Sequence, residues 1–326
     1  MGSVGLVLGA GGVVGQAYHA GVLAALEHDT GWDPRTADVV VGTSAGSITG
    51  TLLRVGVPAS ELAAWIVQAP LSTEGTVLEQ MLGTEIPVFE PFRLLPLLRR
   101  LPDPPGRAMV QRALIRPWSF RPLTAAMALL APGRLDIAER LSMLREVEGH
   151  EWPEEDLWIC AVRRRDGRRV VFGRVGSPKV PLHLAIAASC AVPGYFAPVR
   201  IREHTYVDGG AHSPTNAAIL RERQLDLVIV VSPMSGPAGV LTDLYGVSRG
   251  HAARVARREV RALREAGSQV VVFRPGRAEL AAMGNDFMAR DRVAEIVRES
   301  FLGAGAYAAG PEVREILQSS GLRRPR

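Results

Sequence analysis

The run Val39-Val40-Val41-Gly42-Thr43-Ser44-Ala45-Gly46 leaves the chain few options. Three β-branched apolar residues in a row fit a strand buried on both faces of a parallel sheet. Gly-x-Ser-x-Gly closes the run, and Ser47-Ile48-Thr49-Gly50-Thr51-Leu52-Leu53 continues at once with a helical pattern. In a strand–turn–helix context this motif marks an activated serine, with Ser44 at the tip of a sharp turn. Gly42 and Gly46 are the supporting positions, since a Cβ at either would collide where strand and helix nearly touch. The helix that follows aims its first N–H groups at the serine and favours negative charge there. A glycine-rich turn with an incidental serine is the plain alternative, and only partner residues elsewhere in the chain separate the two.

A chain of 326 residues with 47% hydrophobic and 22% charged residues can bury a large core and is neither disordered nor collagenous. The formal net charge is +5, almost all of its positive charge arginine, with Lys179 the single lysine. That basicity is compatible with an anionic surface but selects no partner, and no nucleic acid is expected. Cys160 and Cys190 make no disulfide framework, and the seven histidines form no metal-ligand spacing, so neither metal nor cofactor is expected. No basic stretch precedes an apolar run near Met1, and no apolar run reaches the length of a membrane span. The expectation is a cytoplasmic protein that touches membranes peripherally if at all.

Val4-Gly5-Leu6-Val7-Leu8 reads as the first buried strand and runs into Gly9-Ala10-Gly11-Gly12-Val13-Val14-Gly15, with a helix from about Gln16 to Glu27. A glycine-rich strand-to-helix loop presents several backbone N–H groups together, which suits an anion. The dinucleotide pattern wants a third glycine where Val14 stands and an acid at the end of the second strand, where the serine turn stands instead. The competing reading is an oxyanion hole, in which the amides of Gly11 and Gly12 hold the charge that develops on a carbonyl oxygen attacked by Ser44.

From Ser72 to Leu144 the texture changes to prolines among leucines and arginines, read as a helical, lid-like insertion (72–144) in a single domain spanning 1–326. Apolar clusters flanked by arginines suit an acyl-chain pocket or an interfacial surface, and equally an ordinary core with solvated arginines. Further on, Leu157 to Val162 and Val170 to Phe172 flank an Asp166-Gly167 turn, a hairpin signal that puts the arginines of 163–169 at a solvated tip. Pro181 to Ser189 reads as a short buried helix, and the pair Val199-Arg200-Ile201 and Thr205-Tyr206-Val207 leads to Asp208-Gly209-Gly210. An acid followed by two glycines after a strand sits on a tight turn with room beside it, although a plain β-turn aspartate reads the same way. A strand over Leu225–Val231, a basic amphipathic helix over about Arg249–Arg264, a strand over Gln269–Phe273 and a helix over about Asp291–Leu302 complete the reading.

Together these pieces resemble the patatin-like phospholipase family in its bacterial branch. The resemblance rests on the Gly9–Gly15 loop, Gly42-Thr43-Ser44-Ala45-Gly46, Ala187-Ala188-Ser189-Cys190-Ala191-Val192-Pro193-Gly194, and Asp208-Gly209-Gly210, in that order. It implies an α/β fold, a three-layer α/β/α sandwich with a mostly parallel central sheet. It also implies a serine–aspartate dyad: Ser44 as nucleophile, Asp208 as base, Gly11 and Gly12 as oxyanion donors, and Gly209 and Gly210 as the supporting turn. The chain departs from the family loop at Ala10, where glycine is usual, and at Val14, where a basic residue is usual. The lost charge weakens the case for a phospholipid preference but leaves the backbone donors in place.

The expected activity is a serine acyl hydrolase that cleaves acyl esters of lipids or phospholipids through an acyl-enzyme, with a lipid or acyl ester as partner. An acyltransferase using an alcohol or thiol acceptor, or an inactive scaffold, carries the same motifs. A triad through His212 or His251 is disfavoured, because His212 is too near Asp208 in sequence and His251 opens an arginine-rich helix.

Overall fold

The computed structural model describes residues 2–76, 78, 114, 130, 132–141, 152–236 and 244–322. Most of the predicted 72–144 insertion lies outside these residues. The strands are β1 (Val4–Leu8), β2 (Val39–Thr43), β3 (Asp156–Arg163), β4 (Arg168–Phe172), β5 (Val199–Ile201), β6 (His204–Asp208), β7 (Leu227–Val231) and β8 (Gln269–Phe273). The described helices are α1 (Gly12–Thr30), α2 (Ala45–Arg54), α3 (Ala59–Ile66), α4 (Ile137–Arg140), α5 (Leu182–Cys190), α6 (Leu244–Glu265), α7 (Arg277–Met283), α8 (Val293–Ala309) and α9 (Pro311–Ser319).

One sheet runs in the order β5-β6-β3-β2-β1-β7-β8, with β4 attached to β3. The pairs β1–β2, β1–β7, β2–β3 and β7–β8 are parallel, and β3–β4, β3–β6 and β5–β6 are antiparallel. The expected mostly parallel α/β/α sandwich is what the chain forms. The period-2 alternation of the strands sorts their side chains onto two faces. Leu6, Leu8, Val40, Ile159, Ile229 and Phe273 pack with α1, α2, α3 and α8 in one apolar layer. Val7, Val41, Trp158, Val230 and Val270 pack on the other face with Ile219, Leu220 and Leu263. Helix α1 is buried almost throughout, which is why its sequence is apolar all round rather than striped.

Two features of this sheet position the site. The strand order turns back at β1, whose neighbours β2 and β7 lie on opposite sides, so the loop after β1 opens at the kind of crevice where α/β sheets bind ligands. The second is on β3. Residues 156–160 of β3 pair with β2 and residues 161–163 with β6, while β4 covers 159–163. Since β4 occupies one edge, β2 and β6 share the other, laid end to end. β2 runs parallel to β3 and β6 antiparallel, so their C-terminal ends meet, with Thr43 opposite Cys160 and Asp208 opposite Ala161.

Several boundaries differ from the expectation. Helix α1 begins at Gly12, so Gly12–Gly15 form its first turn rather than a loop ahead of it. Glycine's poor helix propensity hides this in the sequence, and burial of the turn overrides it. Helix α6 begins at Leu244, before Arg249, and α8 runs on to Ala309. Helices α7 and α9 are additions to the reading. The 163–169 hairpin forms as expected, but its arginines are not all solvated: Arg163 pairs with Asp166 at 2.6 Å, and Arg169 turns inward to Asn216.

Candidate active site

Ser44 stands between β2 and α2 at φ 53° and ψ −122°, a backbone conformation that costs a non-glycine residue about 1–3 kcal/mol. The turn is held by its neighbours. The Ser44 N–H donates to Ser189 Oγ at 2.9 Å, and Ser189 Oγ donates in turn to the Cys160 carbonyl at 2.7 Å. The Ser47 hydroxyl and backbone N–H both donate to the Ser44 carbonyl at 2.7 Å. Gly42 and Gly46 are required by close approach: a Cβ at Gly42 would lie 2.6 Å from Ser47 Cα, and one at Gly46 would overlap the Leu8 carbonyl. Ser189 fell within a quoted motif, but nothing in its local sequence identified it as the clamp on the serine turn.

Asp208 is the last residue of β6, one step earlier than a turn aspartate would stand. Only 4% exposed, it accepts the Gly210 N–H at 2.6 Å and lies near the Ser44 hydroxyl. Burial raises its pKa to about 6, against the lowering influence of those two groups. Its own N–H donates to the Ala191 carbonyl at 2.9 Å, which ties the acid to the 187–194 motif. A Cβ at Gly209 would overlap the Cys160 carbonyl, and one at Gly210 would lie 3.2 Å from Ala10 Cβ, so the turn after the acid abuts the glycine loop. Among the described residues no histidine hydrogen-bonds Ser44 or Asp208. The Cys190 thiol lies against Ser44 and Ser47, with its pKa raised to about 12 by burial first and by the nearby Asp208 charge.

The loop itself is anchored on both sides. Gly9 N–H donates to the Val231 carbonyl at 2.9 Å and Ala10 N–H to the Pro214 carbonyl at 2.8 Å. Gly12 has φ 62°, and a Cβ there would strike the Phe287 carbonyl, so glycine is required twice over. Gly11 and Gly12 open α1, and among the described residues neither amide has a protein acceptor. The position that usually carries a basic residue, Val14, is buried in the apolar layer. His19, also on α1, is fully buried and kept neutral by desolvation, with its pKa lowered to about 3. Its Nδ1 lies 3.3 Å from Thr49 Oγ1 on α2.

A second set of buried polar residues joins the two strand ends. Asn216 Nδ2 reaches Thr43 Oγ1 at 3.1 Å, the Ser213 carbonyl at 2.7 Å and the Gly209 carbonyl at 3.4 Å, while its Oδ1 accepts from Arg169 at 3.3 Å. Thus one amide touches the residue before Ser44 and the residue after Asp208. Glu259 on α6 fixes the same segment, accepting from Thr215 Oγ1 at 2.5 Å and Ala217 N at 2.9 Å. The only sequence signal for this network is the polar run Ser213-Pro214-Thr215-Asn216 between the Asp208-Gly209-Gly210 turn and the segment that leads to β7. Asn216→Ala leaves several buried groups unsatisfied and is expected to cost about 2–3 kcal/mol, read as a lower urea midpoint with an unchanged slope.

The arrangement brings together a strained hydroxyl, a buried carboxylate near neutrality and two main-chain donors at a helix N-terminus. The eight predicted site residues, Gly11, Gly12, Gly42, Ser44, Gly46, Asp208, Gly209 and Gly210, lie on three adjoining turns. A family model described as Patatin-like phospholipase matches residues 6–221, which contain every one of them. No curated protein matches the chain.

Proposed function

For this chain, which belongs to the patatin-like phospholipase family and so to the lipid acyl hydrolases, we propose a serine–aspartate dyad working through an acyl-enzyme. The Asp208 carboxylate takes the proton of the Ser44 hydroxyl as its oxygen attacks the ester carbonyl. The Gly11 and Gly12 amides, at the positive end of α1, hold the tetrahedral oxyanion, a contribution of about 3–4 kcal/mol per donor. The alcohol leaves with the proton that Asp208 had taken. Water then enters and gives a proton to Asp208 as its oxygen attacks the acyl carbon, and Asp208 passes that proton to the Ser44 oxygen as the bond to the fatty acid breaks. The observation that carries this reading is the meeting of β2 and β6 on one edge of β3, which sets the Ser44 hydroxyl against a carboxylate whose pKa burial has moved towards neutrality.

Labelling by a fluorophosphonate, lost in Ser44→Ala, together with an acyl-ester panel on both proteins, tests the assignment. An unlabelled wild type would mark an inactive scaffold. The base must be ionised to accept a proton, so kcat/KM on a soluble ester is expected to rise with pH through about 6 and level off above it. A profile flat from pH 4.5 to 8 removes Asp208 from the role of base.

The substrates proposed are acyl esters of lipids, with peripheral contact at an anionic bilayer. Support comes from α6, where Arg254, Arg257, Arg258, Arg261 and Arg264 are exposed at helical spacing. Among the described residues none of them is paired with a carboxylate. Each arginine near an anionic surface contributes about 1 kcal/mol. Vesicles containing anionic lipid are therefore expected to bind the wild type, less as salt rises. A variant with Arg254, Arg257, Arg258 and Arg261 all changed to Gln is expected to lose that binding while cleaving a soluble ester normally. Among the described residues no helix is long and apolar enough to cross a membrane.

A further inference from the structure

We propose that Arg249 is a positioning residue for the oxyanion cradle, reaching it from α6 through the two residues that flank the Gly11–Gly12 turn. The inference rests on the acyl-hydrolase reading. It starts from what surrounds Gly11 and Gly12. Pro233 Cβ lies 3.0 Å from where a Cβ on Gly11 would stand and 3.4 Å from one on Gly15. On the other side the Phe287 carbonyl fills the space beside Gly12 and accepts the Val14 N–H at 3.3 Å. The cradle is therefore gripped between residues 233 and 287, both outside the segment 6–221 that matches the family model.

Arg249 joins these two flanks. It is 8% exposed on α6, its NH1 donates to the Pro233 carbonyl at 2.8 Å, and its guanidinium lies 5.3 Å from the centroid of the Phe287 ring. The 232–235 turn that presents Pro233 is closed on itself by the Ser232–Ser235 hydroxyl pair at 2.7 Å and by Ser235 N–H on the Ser232 carbonyl at 3.1 Å. A guanidinium does not lose its proton in a protein, and its planar fork can hold a carbonyl while its face lies on an aromatic ring. Lysine can supply the charge but not both contacts. The side chain thus fixes the spacing of the two flanks that hold the amides. A displacement of those amides by about 1 Å is enough to cost roughly 100-fold in rate.

The test uses the full chain as wild type, Arg249→Met, Arg249→Lys and Phe287→Leu. A fluorophosphonate titration first counts competent Ser44 sites, and kcat and KM for a neutral soluble ester are then expressed per titrated site. Arg249→Met is expected to lower kcat per site by about 10-fold or more, with KM changed less than about twofold and the rate of phosphonylation reduced in step. Arg249→Lys and Phe287→Leu are expected to fall between it and the wild type. A purely structural arginine would instead reduce the number of titratable sites and leave kcat per site at the wild-type value, which overturns the proposal. Should Arg249→Met not fold, Arg249→Lys and Phe287→Leu decide it: unchanged per-site kcat in both overturns it. A wild type that neither reacts with the fluorophosphonate nor cleaves the ester defeats the hydrolase reading and this inference with it. A reactive wild type beside an equally fast Arg249→Met defeats this inference alone.

Discussion

Replacing Asp208 by Asn is expected to lower kcat on acyl esters by about 10³-fold or more while leaving the protein folded and, at pH 8, more stable than the wild type. The two halves of this expectation have the same cause. Asp208 is buried, its pKa is raised to about 6, and the ionised carboxylate, the form a general base needs, is the one that burial disfavours. Protonated, it sits in the fold at no charge penalty. As pH rises from the unfolded value near 3.8 through about 6, the unfolded chain gives up the proton more readily than the folded one, and stability falls. Above that range the cost reaches an upper limit of about 3 kcal/mol. Asparagine keeps an oxygen for the Gly210 N–H and carries no charge, so it removes the penalty together with the base. A stability gain of about 1–3 kcal/mol at pH 8 that vanishes at pH 4 is the signature, read by denaturant midpoints. An Asp208→Asn protein with near-normal turnover excludes the dyad.

Gly46→Ala is expected to be among the most damaging single-methyl changes in the molecule, costing more than about 3 kcal/mol. The added carbon would overlap the carbonyl of Leu8 and lie 2.8 Å from its Cβ, in the middle of the sheet. Backbone in a central strand cannot step aside as a side-chain tip can, so α2 would have to lift from β1 and carry Ser44 with it. Gly250→Ala is the matched control. That glycine lies within α6 with nothing inside 4 Å of its added Cβ, and alanine there is expected to be neutral or stabilising by up to about 1 kcal/mol. Comparable losses from both substitutions would show that the strand–helix contact at Gly46 is not the constraint argued here.

Ser44 and Asp208 were legible in the sequence because the chemistry around each requires glycines, and glycines at fixed offsets leave a pattern. Gly42 and Gly46 flank the serine, Gly209 and Gly210 follow the acid, and each of these close approaches erases a side chain that would otherwise be present. The residues that hold the pair in place leave no such trace. Ser189, Asn216 and Glu259 are buried polar groups whose partners lie on other elements, and a serine bonded to Cys160 reads the same in one dimension as a serine facing water. Arg169 reads as part of a solvated hairpin tip for the same reason: its acceptor on Asn216 becomes a neighbour only once β3 and β4 have paired. The start of α1 was misplaced because four of the seven residues in Gly9–Gly15 are glycines with low intrinsic helicity, whereas the turn owes its helical form to packing.

The end-to-end docking of β2 and β6 against a third strand has a consequence for biosynthesis. An N-terminal fragment emerging from the ribosome carries the serine that is to be the nucleophile long before Ser189 can hold its turn or residue 208 is translated. On the dyad reading that nucleophile stays idle, because its base arrives only with β6 and only by annealing to the far end of β3. A nascent or truncated lipase of this design would thus be harmless to the membranes of the cell that makes it, with its reactivity withheld until the chain has closed on itself.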